Sequence, residues 1–403
     1  MNDVAIIGIG MTHFGKFLDR SLKDLSRESL DNALSDARLD KKSIQAAYVG
    51  NAMAGIVTGQ ECIRGEVVLR AYGIEEIPVV NVENACASSS TAFHLAWMSV
   101  ASGLYDVVLA LGVEKLYHED KKVSFRALGS AVDVEMMASI KDALSSVKSD
   151  SGNGGGDKRS IFMDFYAMLA RMHMQMYGTK KEHFAKIAQK NHYNGSLNPH
   201  AQYREVYTLE EIMNSPLVAE PLTRLMCSPV GDGAAAIILC NAKSAPKYTS
   251  KPVFVSASVI VTGKDRDFEE PDIVERGAKK AYEMASLGPE DLNVAELHDA
   301  TSAAELIGYE EIGICKKGEA ARLVDEEATK IGGRIPVNTS GGLVSKGHPV
   351  GATGTAQIAE IVLQLRGEAG ERQVKGAKVG LTQNGGGAIG NEAAVMSLHI
   401  LKR

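Results

Sequence analysis

A cysteine where a strand gives way to a helix, and a histidine inside a glycine-rich loop, are the residues of this 403-residue chain best placed to do chemistry. Cys86 follows an apolar run at 78–82 and precedes Ala87-Ser88-Ser89-Ser90, small residues that open a helix expected over 87–102. A helix N-terminus carries about half a positive charge and unpaired N–H groups, which lower a thiol pKa and favour the nucleophilic thiolate. Position alone fits an inert buried thiol equally well, since free cysteine is among the most buried residue types. His348 stands in Gly341-Gly-Leu-Val-Ser-Lys-Gly-His348-Pro-Val-Gly-Ala-Thr-Gly354, between a strand expected at 335–338 and a helix at 352–366. That places it at the carboxyl edge of a sheet, where open α/β folds bind ligands. A histidine there can deprotonate a thiol or donate to a developing oxyanion.

Two weaker candidates accompany these. His298 ends an expected strand at 294–298 and opens His298-Asp-Ala-Thr301; a satisfied core histidine is its plainer reading. Gln383-Asn-Gly-Gly-Gly387 reads as a turn, either a simple β-turn or a nest of N–H groups for an anion. Other signals fail. Gly8-Ile-Gly10 has His13 where a dinucleotide fingerprint needs its third glycine, and the lysine of the glycine-rich stretch 152–158 is misplaced for a phosphate loop. No HExxH, GxSxG or EF-hand pattern occurs, so nicotinamide, ATP and metal chemistry are unsupported.

The elements that must position these residues follow from periodicity. Apolar runs at 4–8, 46–50, 78–82, 106–113 and 234–239 alternate with helical spacing at 21–39 and 87–102. Runs at 253–261, 294–298, 335–338, 378–382 and 392–398 alternate with helices at 272–287, 301–313 and 352–366. Such alternation predicts an α/β fold with a parallel or mixed sheet covered on both faces. Ala33, Ala37, Leu39, Ile44 and Ala52 fall on Ala281, Ala285, Leu287, Leu292 and Ala300, each 248 positions later, which points to two copies of one unit. Between them, 118–225 breaks the pattern: 145–159 reads as a mobile loop rich in Ser, Gly and Lys, and 161–177 as an amphipathic helix rich in methionine and aromatics.

Composition narrows the setting. A net charge of −6 argues against nucleic acid or an anionic membrane as the main partner. No stretch approaches the ~18–20 apolar residues of a membrane helix, and the N-terminus lacks the basic and apolar regions of a signal peptide. Five cysteines without a CxxC pair fit a reducing compartment, so a cytoplasmic enzyme is expected. The 40 glycines, above the usual ~7%, imply many positions that need a small or left-handed residue.

Taken together, the motifs resemble the thiolase superfamily over essentially the whole chain. Asn81-Val-Glu-Asn-Ala-Cys86-Ala-Ser-Ser-Ser-Thr-Ala is similar to its nucleophile segment, and Asn338-Thr-Ser-Gly-Gly-Leu-Val-Ser-Lys-Gly-His348-Pro to its GHP loop. Asp232-Gly-Ala-Ala-Ala resembles the motif closing the first half, while Asn198-Pro-His-Ala-Gln and the His298-Asp pair point to the sterol-carrier-protein-type and archaeal-type, non-decarboxylating members. The resemblance implies two duplicated βαβαβαββ halves in a five-layered αβαβα arrangement. The first half would be 1–250, with a loop domain inserted at about 118–225, and the second 251–403. By family role Cys86 takes the acyl group of a β-ketoacyl-CoA. His348 would activate it and, with His298, hold the enolate oxygen. The Cys86 N–H and a glycine N–H of the Gly385–Gly387 run would bind the oxyanion of the acyl-enzyme step, with Asn338, Gly385 and Gly386 as the donor or supporting residues. The Met-rich helix then suits an adaptable acyl-binding wall as well as a core.

The same resemblance implies coenzyme A as substrate, no permanently bound cofactor, no metal in this chain, a homodimer, and a small zinc-containing OB-fold (DUF35-type) subunit as partner. It also exposes a departure. Most thiolases carry a second cysteine for the α-carbon proton; here Gln383 and Ala300 stand at its two usual places, and neither exchanges a proton. The vacancy suggests an unusual substrate, and the benzoylsuccinyl-CoA thiolases of anaerobic toluene breakdown are the subgroup suspected. An acetoacetyl-CoA thiolase working with an OB-fold partner, a decarboxylating condensing enzyme and a non-catalytic acyl-CoA scaffold stand as alternatives.

Overall fold

The structure is a computed structural model and describes residues 2–136, 139, 159–267 and 269–403. All but the last residue of the loop expected at 145–159 lies outside the described residues. The strands are β1 (Val4–Met11), β2 (Ala46–Gly50), β3 (Val79–Val82), β4 (Val107–Glu114), β5 (Leu217–Ala219), β6 (Leu222–Thr223), β7 (Gly233–Asn241), β8 (Val253–Thr262), β9 (Val294–Glu296), β10 (Val379–Gly386) and β11 (Val395–Lys402). The longer helices are α1 (Leu22–Ala37), α2 (Ser88–Ala101), α3 (Ile161–Tyr177), α4 (Lys181–Ser196), α5 (Ile273–Ala285), α6 (Ser302–Glu311) and α7 (Thr353–Arg366).

Nine strands form one mixed sheet in the order β3-β2-β4-β7-β1-β8-β11-β10-β9. Its two sides repeat one plan. β2 runs parallel to β3 and β4, β9 runs parallel to β10, and the last strand of each half, β7 or β11, lies antiparallel between its neighbours. The halves meet at β1 and β8, where Ala5 pairs with Phe254 and Ile6 with Val253. Phe93, Ala96 and Val100 of α2 and Ile358, Ile361 and Val362 of α7 share one buried cluster with strands of both halves. Helix α1 covers the outer face of the first half, and α5 that of the second. The two ends of this continuous sheet thus lie between outer helices and the shared pair α2 and α7, the αβαβα order that the resemblance implies.

Local chemistry explains the outer packing. Ser21 and Asp24 form a capping box that starts α1, and its Leu25, Leu30, Ala33 and Ala37 are buried. Gly10 faces this helix so closely that a Cβ there would lie 2.1 Å from the Ser29 carbonyl oxygen. The Gly8-Ile-Gly10 run therefore serves helix-on-sheet packing.

Two expectations fail. No strand forms at 335–338; a single parallel bridge, Ala295 to Val337, stands in its place. Pro336 has no N–H to donate, and Asn338 turns into the left-handed region at φ +56°, which ends the extended run. The 383–387 segment is not a turn. Gln383 to Gly386 complete β10 and pair with Leu398, Ser397, Met396 and Val395 of β11, so the segment is extended strand and lacks the concave turn of an anion nest.

Candidate active site

Cys86 is held by a turn rather than by a helix. After β3, residues Ala85–Ala87 make one 3₁₀ turn and Ser88 begins α2. The Ser88 hydroxyl accepts from the Asn84 N–H at 3.0 Å and donates to the Ala85 carbonyl at 2.6 Å. The Asn84 side chain donates to Thr91 Oγ1 at 3.0 Å. Ala85 takes a left-handed φ of +47°, a conformation that costs an L-residue roughly 1–2 kcal/mol and that these bonds hold in place. The result turns the Cys86 side chain toward a cavity of about 910 Å³ that His298, His348, Gln383, Gly385 and Gly387 also line.

Burial works against a resting thiolate. Burial pushes the Cys86 thiol up to about 12, and the nearby Glu114 carboxylate adds to the rise; the N–H groups of Gly387 and of Cys86 itself ease it without reversing it. Desolvation wins because the helix dipole supplies only a partial charge to a group taken out of water. The N–H groups that reach the Cys86 sulfur are its own and that of Gly387, the last residue of the Gly385–Gly387 run from which the resemblance expects a donor. Gly386 serves close packing instead: a Cβ there would stand 2.1 Å from the Asn84 carbonyl and 2.9 Å from the Ala87 nitrogen.

His348 is positioned from below. A short helix, Gly342–Lys346, precedes it, and the Asp299 carboxylate accepts from the Leu343 N–H at 2.6 Å and the Val344 N–H at 3.4 Å at the start of that helix. Gly347 then turns at φ +105°, where only glycine sits without strain. His348 Nδ1 bonds Thr353 Oγ1 at 2.7 Å, and that hydroxyl also reaches the Pro349 carbonyl at 3.0 Å. His298 lies just past β9; its N–H donates to Gln383 Oε1 at 2.8 Å, and its Nδ1 meets Asn384 Nδ2 at 2.8 Å.

One ring nitrogen of each histidine and the Cys86 sulfur lie within 4.8 Å of one another, and the two rings meet edge to face at 5.1 Å. Burial drives His298 down to about 4. Burial, then the neighbouring His298 and Lys346, hold His348 well below its ordinary value. At neutral pH the three groups therefore rest as a thiol and two neutral imidazoles.

Asn338 is not among the residues lining the cavity and stands in a supporting place. Its side-chain amide accepts from the Leu297 N–H and donates to Glu305 Oε2, each at 2.8 Å, so it braces the segment leading to His298. Gln383 and Ala300 do line the cavity, where the resemblance expects a second cysteine. Helix α3 supplies a wall of Phe162, Met163, Phe165, Tyr166, Met168 and Leu169, while its Ala167, Ala170 and His173 are buried in the core.

Sequence reasoning missed Glu114. Buried at the end of β4, it accepts from the N–H groups of Met53 and Gly351 at 3.1 and 2.9 Å and from the Asn51 side chain, tying β2 to the His348 loop. A charged residue closing an apolar strand was its available signal. Thr353 and Asn384 were quoted within motifs but given no task; nothing in composition or spacing marks the ring nitrogens they meet.

Comparison with known proteins agrees with the geometry. A family model described as "Thiolase, N-terminal domain" matches residues 4–243, and one described as "Thiolase C-terminal domain-like" matches 260–400. The chain is 43% identical to the acetyl-CoA acetyltransferase of Methanothermobacter thermautotrophicus, with 100% of each covered. It is 39% identical to human sterol carrier protein 2, over 98% of this chain and 71% of that protein. An aldolase structure titled Ltp2-ChsH2(DUF35) shares the fold at a TM-score of 0.80 and 24% identity, over 100% of this chain and 98% of that one. Human mitochondrial 3-ketoacyl-CoA thiolase in complex with CoA does so at 0.70 and 18%, with the same coverage. With two family models matching in order across nearly its full length, the chain belongs to the thiolase family and is an acyltransferase.

Proposed function

We propose that the protein is a coenzyme A-dependent C-acyltransferase that cleaves or forms a β-ketoacyl-CoA through an acyl thioester on Cys86. The observation that carries this reading is the convergence of the Cys86 sulfur with His298 and His348 within 4.8 Å. Thr353 Oγ1, close to the Pro349 carbonyl, donates there and accepts from His348 Nδ1–H, which leaves a lone pair on Nε2. In the cleavage direction Nε2 takes the Cys86 proton as the sulfur attacks the β-keto carbon. The bond between that carbon and the α-carbon breaks, and the departing enolate oxygen rests against the histidines. The proton on His348 then passes to the α-carbon. Coenzyme A attacks the acyl-Cys86 thioester, and its thiol proton returns through His348 to the cysteine. His348 thereby covers the step for which Gln383 and Ala300 cannot serve.

A β-keto substrate as small as acetoacetyl-CoA fits the 43% identical relative named acetyl-CoA acetyltransferase. A second reading, benzoylsuccinyl-CoA cleaved to benzoyl-CoA and succinyl-CoA, is supported by the aromatic and methionine wall of α3 beside a cavity of about 910 Å³. Thiolysis of the two substrates side by side separates these readings. Consumption of malonyl thioester without free coenzyme A would instead indicate decarboxylating condensation. A small zinc-containing DUF35-type subunit is the partner inferred, in keeping with the DUF35 named in the Ltp2-ChsH2(DUF35) aldolase. A homodimer is inferred as well, since β3 ends the sheet with Val80 and Asn81 exposed. Copurification and solution mass test both.

A further inference from the structure

We infer that Asn384 is a positioning residue that fixes the tautomer of His298, so that this histidine presents an N–H, and not a lone pair, to the substrate oxygen. The inference rests on the acyltransferase reading above for its chemistry, and on geometry alone for the tautomer.

His298 is neutral in the folded protein, so one ring nitrogen holds a proton and the other a lone pair. Asn384 Nδ2 stands 2.8 Å from Nδ1. An amide nitrogen only donates, so Nδ1 accepts and the proton resides on Nε2, the nitrogen left to face Cys86 and His348. The orientation of the amide is held from its other end. Ser90 Oγ lies 2.8 Å from Asn384 Oδ1 and Ser397 Oγ 2.6 Å from Ser90 Oγ. Each hydroxyl has one proton and a longer second acceptor, the Ala87 carbonyl at 3.0 Å for Ser90 and the Asn384 carbonyl at 3.1 Å for Ser397. The shorter contacts therefore assign the Ser90 proton to Asn384 Oδ1 and the Ser397 proton to Ser90. All four side chains are buried, and no water is needed to complete the chain of donors. Gly354 makes the room: a Cβ there would lie 2.9 Å from Asn384 Oδ1 and 2.5 Å from the Ser90 nitrogen.

The next residue back works on the same target, because Gln383 Oε1 accepts the His298 N–H at 2.8 Å. The end of β10 thus grips His298 at its main chain and at its ring. His348 is set oppositely, its Nδ1–H given to Thr353 and its Nε2 left basic. Two histidines with crossing rings present one donor and one acceptor to the same small space. That division lets His348 move the proton while His298 stays protonated at Nε2 and holds the enolate oxygen. A lone pair at His298 would repel that oxygen.

The test compares wild type with Asn384→Asp and Asn384→Ala. A carboxylate at 384 accepts from Nδ1 and draws the proton there, inverting the tautomer; alanine removes the preference. Nitrogen-15 spectra of histidine-labelled protein, assigned with His298→Asn, read the tautomer directly. The wild type is expected to show His298 protonated at Nε2, and Asn384→Asp to shift it to Nδ1. Carbon–carbon cleavage of acetoacetyl-CoA should then fall by ~100-fold in kcat, the scale of losing one oxyanion donor, with KM little changed. Acylation of Cys86 by acetyl-CoA, which passes through no enolate, should stay within about threefold. A wild-type His298 protonated at Nδ1, or an equal loss in both half-reactions, would overturn the inference. Should wild type itself acylate but not cleave, or do neither, the functional reading fails while the spectra still decide the tautomer.

Discussion

Burial raises Cys86 to about 12 and disfavours a resting thiolate at neutral pH, so the proposed reactivity comes from proton transfer inside the cluster. Thiolate absorbance at 240 nm, taken as wild type minus Cys86→Ser, should therefore show no titration between pH 6 and 9. A step in that window would mean that the turn lowers the pKa after all. The base in this scheme must be neutral, and His348 lies well below its ordinary value. The acylation rate should then stay level as pH falls from 8 through 6, since the lone pair on Nε2 is lost only below that range. A decline centred near 6.5, the unperturbed histidine value, would remove His348 from the role. Cys86→Ala should abolish acyl transfer altogether.

The supporting elements act through close backbone approach and buried polar ties. In Gly386→Ala the new Cβ meets the Asn84 carbonyl, which is backbone and cannot swing aside. Overpacking of this kind costs ~1–3 kcal/mol, so a lower Tm is expected together with slower Cys86 acylation. Unchanged values would show that the β10 end is not pressed against the Cys86 turn. Helix α4 is tied to the second half by Lys190, which pairs with buried Glu305 and donates to the Val337 carbonyl at 2.6 Å. The same Glu305 accepts from Asn191 and Asn338. Lys190→Met leaves a buried carboxylate without its cation, a change worth ~3–5 kcal/mol, and urea unfolding should register it.

How much of this was legible in sequence depends on range. Strands such as β2 and helices such as α3 show their own period, and their bounds fall where alternation and helical spacing put them. The Cys86, His298 and His348 segments announce themselves through small and special backbone residues. What stayed hidden depends on partners remote in the chain. Glycines 385 and 386 look like a turn until β11 pairs with them. The effect of burial on Cys86 requires the surrounding fold, and the tie from Asn384 to His298 spans 86 positions. Asn338 looked like a donor because its motif does, and only the placement of Leu297 and Glu305 shows its amide already engaged.

At the scale of the molecule, each of the two central helices opens at a segment of the candidate site: the Cys86 turn leads into α2 and the His348 loop into α7. This layer buries other histidines too. His399, packed edge to face on Phe93 at 4.8 Å, is driven by burial down to about 3. Below about 6.5 the unfolded chain takes up a proton that folded His399 refuses, so acidification from pH 6.5 toward 3 destabilises the fold by up to ~1.4 kcal/mol per unit. Asp299 and Glu311, raised by burial, act in the opposite sense. The difference between wild type and His399→Gln is therefore the readout, and it should grow against the wild type between pH 6.5 and 5. Parallel curves would contradict it. The proposed acyl transfer turns on one covalent bond. Brief incubation with acetoacetyl-CoA, acid quench and peptide mass analysis should find an acetyl group on Cys86, absent after coenzyme A is added. An enzyme that turns over while Cys86 stays unmodified, or that works equally well as Cys86→Ala, would contradict it.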